Sequence, residues 1–258
     1  MADYTVDDIV TALREAGVCE GDNIFIHCNI GFFGRLEGAT SSDTLCEGFL
    51  EGLKRAVGPE GTLVVPTFSY SFCHGEVYNP ATTKSGCGLF TEYIYKQDGV
   101  IRSLDPNFSV AAIGKYADYF TEKPTNESFC YGSFWTRLME KKGKIVCMNM
   151  DCGSTFVHYI EKQNEVPYRY NKAFNGCIEL PDGTVKRDYF VHFVYGLESP
   201  EDGPYFTRLD EKIRCAGLCR TANLGKGTLL AMDANEYYDF ISKTLKSEPR
   251  FLTRGGDI

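Results

Sequence analysis

Four histidines, His27, His74, His158 and His192, are the only imidazoles in the chain, and proton abstraction near neutral pH falls to such groups first. His158 lies in Ser154-Thr-Phe-Val-His158-Tyr-Ile-Glu161, where Thr155, His158 and Glu161 are spaced three apart. On a helix those positions share one face, so an imidazole and a carboxylate can meet. Ser154 reads as the helix N-cap, which puts His158 about one turn in. The positive helix end would then lower its pKa and favour the neutral imidazole that deprotonation of an amine requires. A half-buried structural histidine beside an ordinary helix carboxylate has the same spacing, and spacing alone leans to that plainer reading.

The other candidates carry less. His27 ends the apolar run Asn23–Cys28 and precedes a glycine-flanked loop. Ligands of open α/β sheets gather just beyond the carboxyl ends of strands, although a histidine can equally plug a strand end. His74 sits in a long aromatic loop, where mere exposure explains it, and His192 in an alternating strand, where a structural role is the simpler expectation. Cys147, Cys152 and His158 are separated by spacings foreign to zinc sites, so no metal is expected. No GxSxG, GxGxxG or P-loop sequence is present. Arg102-Ser103 and Ser109 form a polar cluster before a strand, suited either to anion binding or to a buried arginine pinned by hydroxyls.

The elements that would hold these residues alternate. The spacing predicts a helix over 6–16, a strand at Asn23–Cys28, a helix from Ser41 or Ser42 to about Val57, and a strand at Thr62–Pro66. Strand, loop, helix, strand is a βαβ unit. Beyond the irregular stretch 67–86, long enough to suggest function, the pattern predicts a helix at 88–97, a strand at Ser109–Ile113, a helix at 133–140 and a strand at Lys144–Met148. A helix over Gly153–Asn164 follows. A β-rich insertion spans 166–195 around a turn at Pro181-Asp182-Gly183. Helices at 205–214 and 234–246 flank a short strand near Thr228–Ala231. The expected fold class is α/β: a three-layer, mixed or parallel sheet flanked by helices.

Composition bounds the function. With 43% hydrophobic and 24% charged residues the chain is globular, and its net charge of −8 argues against a nucleic-acid partner. Eleven scattered cysteines without a CxxC read as reduced, mostly buried thiols of a cytoplasmic protein. No apolar run reaches membrane-spanning length, and because residues 1–8 carry acids and no apolar run, no signal peptide is expected.

Several stretches together resemble the aminoglycoside 3-N-acetyltransferase family, antibiotic N-acetyltransferases unrelated to the GNAT fold. They are Gly21-Asp-Asn-Ile-Phe-Ile-His27-Cys-Asn29 with Gly34, the run 58–69 (GPEGTLVVPTFS), and Gly88-Leu-Phe-Thr-Glu92. Arg102-Ser103 with Pro106 and Ser109–Gly114, Ser154–Glu161 with Val166-Pro-Tyr-Arg169, and the segment from Ala216 to Leu230 complete the set. The resemblance covers roughly residues 5–252 and implies one acetyltransferase domain over 1–258. It implies acetyl-CoA as co-substrate, direct transfer of acetyl to a sugar amine, His158 as general base and Glu161 as its orienting or ammonium-holding partner. It also implies an acetyl-CoA channel lined by His27, Asn29, Ile30, Gly34, Thr67, Ser69, Arg102, Ser103 and Ser109. No membrane or nucleic-acid partner is implied, and a homo-oligomer is compatible with the chain.

The sequence departs from the family in the stretch 166–210, where the resemblance implies acceptor contacts and the match is poor, and at three further places. His27-Cys-Asn-Ile30 stands where resistance enzymes usually have His-Ser-Ser-Leu, Ser133-Phe-Trp-Thr replaces a usual Ser-Pro, and Thr67–Tyr70 lacks the acidic residue common in drug-modifying members. These differences point to a cellular amino sugar, nucleotide-linked and destined for a surface polysaccharide. Aminoglycoside modification and a non-catalytic CoA- or sugar-binding module are the alternatives.

Overall fold

The computed structural model describes residues 1–122, 125–196 and 198–256. Its centre is a seven-stranded sheet built from β1 (Asn23–Cys28), β2 (Thr62–Pro66), β3 (Ile101–Arg102), β4 (Val110–Gly114), β5 (Lys144–Met148), β8 (Cys219–Leu224) and β9 (Gly227–Asp233), in the order β3-β4-β2-β1-β5-β9-β8. β1 runs parallel to β2 and β5. The outer pairings, β2–β4, β4–β3, β5–β9 and β9–β8, are antiparallel. The mixed three-layer sheet expected from the sequence is therefore the observed architecture.

The central strands are apolar throughout because both of their faces are covered. Alternation sorts their side chains between two cores. Ile24, Ile26, Leu63, Val65, Val146 and Met148 join one core, against α1 (Val6–Glu15) and α2 (Ser42–Val57). Phe25, Val64, Ile145 and Cys147 join the other, beneath α5 (Phe134–Glu140), α6 (Phe156–Gln163) and α8 (Ala234–Ser247). Thr5 and Ser41 start α1 and α2 with capping boxes, each hydroxyl accepting from the backbone N–H three residues on.

Three short elements escape the sequence pattern: β3, the five-residue α4 (Ala117–Thr121), and β8, a polar edge strand with little apolar signal. The remaining helices are α3 (Leu89–Ile94) and α7 (Thr207–Cys215). The expected insertion is a long hairpin, β6 (Arg169–Glu179) with β7 (Val185–Tyr195), outside the main sheet. Phe72 and Tyr78 of the irregular stretch pack with Ile178 and Phe190 of the hairpin as a third core, and Tyr78 bridges Ile178. All eleven cysteines are free, but only Cys46, Cys147 and Cys152 are buried, fewer than expected. Among the described residues no helix is long and apolar enough to cross a membrane.

Candidate active site

Residue parity along β1 builds the first part of the site. His27 has the same parity as Phe25, so its ring turns toward the α6 side and meets Phe25 edge-on, centroids 4.7 Å apart. There its Nε2 lies 2.9 Å from Ser154 Oγ. Burial holds the imidazole neutral, lowering its pKa to about 4.

Ser154 is not the N-cap of α6. Thr155 occupies that position with no side-chain cap bond. Instead the Ser154 hydroxyl accepts from the Phe156 N–H at 3.3 Å while engaging His27. The hydroxyl thereby ties the end of β1 to the start of the helix that carries His158.

One turn into α6 the predicted pair forms. His158 Nδ1 is 2.8 Å from Glu161 Oε2, with the histidine side chain 20% exposed and the glutamate fully buried. A buried carboxylate needs compensation, and the hairpin supplies it. Arg169, the first residue of β6, brings Nε within 2.8 Å of Glu161 Oε2, and the Tyr168 hydroxyl donates to Oε1 at 2.8 Å. Arg169 is fixed in turn by donation to the Phe193 carbonyl at 2.7 Å and by stacking over Tyr195, 3.6 Å from the ring centroid. The signal for this pair was a tyrosine and an arginine right after Val166-Pro167, seven and eight residues beyond Glu161.

The tautomer follows from charge. His158 Nδ1 also lies 2.7 Å from Arg169 Nη2, and a ring nitrogen cannot both donate to the carboxylate and accept from the guanidinium. An ionised carboxylate is the stronger partner, so Nδ1–H donates to Glu161 and Nε2 stays bare. Burial and then the Arg169 charge push the His158 pKa below its ordinary value, while Glu161 opposes both. The expected cause, the helix end, is not what dominates.

His158 opens onto a cleft of about 190 Å³ bordered by Asp151, Gly153, Ser154, Thr155, Val157 and Phe206. Asp151 also borders a wider open groove of about 550 Å³, with Asn29, Phe32, Asn149, Arg214 and Thr228 along it. Asn29 therefore stands beside the site.

The other sequence candidates lie elsewhere. Ile30 is buried in the α1/α2 core. Gly34 is a left-handed turn, with φ +91°, where a Cβ would fall 2.6 Å from Asp3 Oδ2. Thr67, Arg102 and Ser109 form one buried network: Arg102 donates from Nε to the Thr67 and Ser109 hydroxyls and from Nη2 to the Thr67 carbonyl. Its Nη1 donates to the carbonyls of Pro80 and Thr83, and its guanidinium lies 4.4 Å from the Tyr95 ring centroid. The geometry of Arg102 is thus that of a pinned, buried cation. Ser103 Oγ accepts from the Val110 N–H, and Ser69 donates to the Pro106 carbonyl. Among the described residues no group of three or more His, Cys, Asp or Glu side chains could hold a metal.

A family model described as aminoglycoside 3-N-acetyltransferase matches residues 25–246, and the chain belongs to that family. The aminoglycoside N(3)-acetyltransferase III of a Salmonella species is 27% identical over 184 residues, a match covering 64% of this chain and 62% of the relative's length. The structure of AAC-IIIb in binary complex with CoASH has a TM-score of 0.81 at 21% identity, covering 94% of this chain and 96% of that one. AAC-VIa bound to sisomicin has a TM-score of 0.81 at 19% identity, covering 95% and 98%.

Proposed function

We propose that the protein transfers acetyl from acetyl-CoA to an amino group of an aminoglycoside, with His158 as general base. The observation that carries this reading is the buried Glu161–His158 pair, whose bare Nε2 is left to the cleft. The amine nitrogen attacks the thioester carbonyl, forming a C–N bond. Its proton passes to His158 Nε2, the C–S bond breaks, and the proton moves on to the departing CoA sulfur. Glu161 holds the reactive tautomer and stabilises the transient imidazolium. Arg169 and Tyr168 make that buried carboxylate affordable.

The donor fits the groove past Asn29 and Thr228, which shares Asp151 with the His158 cleft. In that groove Arg214, paired with Asp210, offers a cation toward a phosphate. CoASH in the AAC-IIIb complex and sisomicin on AAC-VIa support the same two substrate classes here. The relatives favour an aminoglycoside over the nucleotide-linked sugar expected from the sequence, and the aminoglycoside reading replaces it.

The test is thiol release from acetyl-CoA with sisomicin, gentamicin and apramycin as acceptors, with mass detection of the acetylated product. Acetylated drug, together with raised tolerance in a sensitive host expressing the chain, supports the reading. Acetyl-CoA binding without thiol release toward any of the three leaves a non-catalytic binding module instead.

A further inference from the structure

From Cys152 to His158 every backbone N–H but one has an acceptor. Cys152 N–H donates to Asp210 Oδ1 at 2.9 Å, and Gly153 N–H to Asp151 Oδ1 at 2.8 Å. The Ser154 N–H is turned to the Tyr237 hydroxyl, which itself donates to the Cys152 carbonyl at 2.8 Å. Phe156 N–H goes to Ser154 Oγ, Val157 N–H to the Ser154 carbonyl at 2.9 Å, and His158 N–H to the Thr155 carbonyl at 3.0 Å. Only the N–H of Thr155, a half-buried residue, has no acceptor among the described residues. Backbone donors drawn out of water are nearly always paired, which sets this one apart.

The Thr155 side chain is idle as well. A threonine at an N-cap normally has an extended backbone and accepts from an N–H of the first helical turn. Thr155 has helical dihedrals instead, φ −54° and ψ −18°, and makes no capping bond. Its Oγ1 has no hydrogen-bond partner among the described residues. One residue therefore holds two free donors, and it borders the cleft onto which His158 opens.

Thr155 and His158 share a face of α6, and helical side chains lean back toward the N-terminus. The imidazole thus reaches over the turn that starts at Thr155. Glu161 engages Nδ1 from the C-terminal side, which leaves Nε2 turned toward the start of the helix. A carbonyl carbon within reach of Nε2 has Thr155 beside it. The segment is also fixed, through the His27 bond to Ser154 and the His158 N–H bond to Thr155. Donors held in this way need no reorganisation when charge develops in front of them.

We infer that Thr155 is the oxyanion donor of the reaction, its N–H and Oγ1–H together receiving the thioester carbonyl oxygen as the acceptor amine adds. This rests on the acetyl-transfer reading and adds a catalytic residue to it. As the C–N bond forms, the carbonyl π pair moves onto oxygen and the negative charge lies against the two Thr155 donors. As the C–S bond breaks, the pair returns and the C=O bond re-forms. Thr155 gives up no proton; the amine proton still travels by way of His158 to the CoA sulfur.

The experiment measures kcat, both KM values, the pH profile and the melting temperature of Thr155→Ser, Thr155→Val and Thr155→Pro. The substrates are acetyl-CoA and whichever of sisomicin, gentamicin or apramycin the wild type acetylates fastest. Thr155→Ser keeps both donors and should stay close to the wild type. Thr155→Val keeps the shape and the N–H but loses the hydroxyl, so kcat should fall about 10- to 100-fold. Thr155→Pro loses both donors, while the φ of proline matches the −54° already present. Its melting temperature should hold as kcat falls about 10²- to 10³-fold beyond the valine variant. Both KM values and the acid limb set by His158 should stay in place in all three.

Wild-type kcat in both Thr155→Val and Thr155→Pro, with an active wild type, overturns the role of Thr155 alone. A serine variant as slow as the valine one also overturns it, as does a kcat loss that tracks a lower melting temperature or a moved acid limb. Either result assigns Thr155 to packing at the head of α6. A wild type that transfers acetyl to none of the three acceptors overturns the acetyl-transfer reading and the oxyanion donor with it.

Discussion

Glu161→Gln separates the charge of the carboxylate from its geometry. Glutamine is nearly isosteric, and its single oxygen can stay at the position of Oε2, facing the His158 Nδ1–H and Arg169 Nε, each now 2.8 Å from Oε2. The amide nitrogen then faces Tyr168, whose hydroxyl can turn from donor to acceptor. The tautomer survives and only the charge is lost. Charge centres about 4 Å apart at an effective dielectric of about 20 interact by about 4 kcal/mol. With the proton about half transferred in the transition state, about 2 kcal/mol of stabilisation disappears, which is roughly a 30-fold fall in kcat. Since Glu161 opposes the depression of the His158 pKa, the acid limb of the rate profile should move to lower pH. Arg169, with its side chain only 2% exposed, is left buried without its counter-charge, at a stability cost of about 3 kcal/mol. The assay is steady-state thiol release across pH, beside urea unfolding to show that the variant is folded. A folded Glu161→Gln enzyme with wild-type kcat and an unmoved acid limb refutes the role assigned to the carboxylate.

Further outcomes follow from the same geometry. His158→Asn should lower kcat by about 10² to 10⁴ with the urea midpoint intact; full activity in that variant removes His158 from the mechanism. If His158 is the base proposed above, kcat/KM should be flat at neutral pH and fall only below the ordinary histidine range, because burial and Arg169 depress its pKa. Arg169→Gln should shift that fall to higher pH, measured on the folded fraction. His27, neutral when folded with a pKa near 4 against 6.5 unfolded, contributes stability that is fully present above pH 6.5 and lost as pH drops toward 4. By pH 4.5 that loss is on the order of 2–3 kcal/mol, so His27→Gln should unfold in urea with a correspondingly weaker acid dependence. Arg102→Met should cost about 3 kcal/mol through lost hydrogen bonds to a charged group while leaving kcat largely unchanged, as read by urea midpoint and thiol release.

The parts of this fold legible in the sequence are those where one physical effect dominates. β1, β2 and β5 are buried on both faces and so read as plain apolar runs, and Ser41 marks the start of α2. β8 was hidden because a polar edge strand owes its existence to its neighbour β9. His158 and Glu161 were legible as a pair because helical spacing is local. Arg169 and Tyr168 complete that pair through a tertiary contact, and His192 comes against Phe129 only because the hairpin folds back. Neither return is encoded in spacing. Ser154 looked like a cap because serine commonly is one; His27, 127 residues away, draws its hydroxyl into a different bond.

The hairpin also divides by height. Its base pairs Arg169 with Tyr195, and this first rung bears directly on Glu161. Three rungs on, Lys172 faces His192, and at the far end an exposed turn at 181–184 closes the ribbon. Tolerance to substitution should therefore grow with distance from the base: the exposed tip can lengthen or change freely, whereas a change at the first rung removes the countercharge of the buried Glu161 carboxylate.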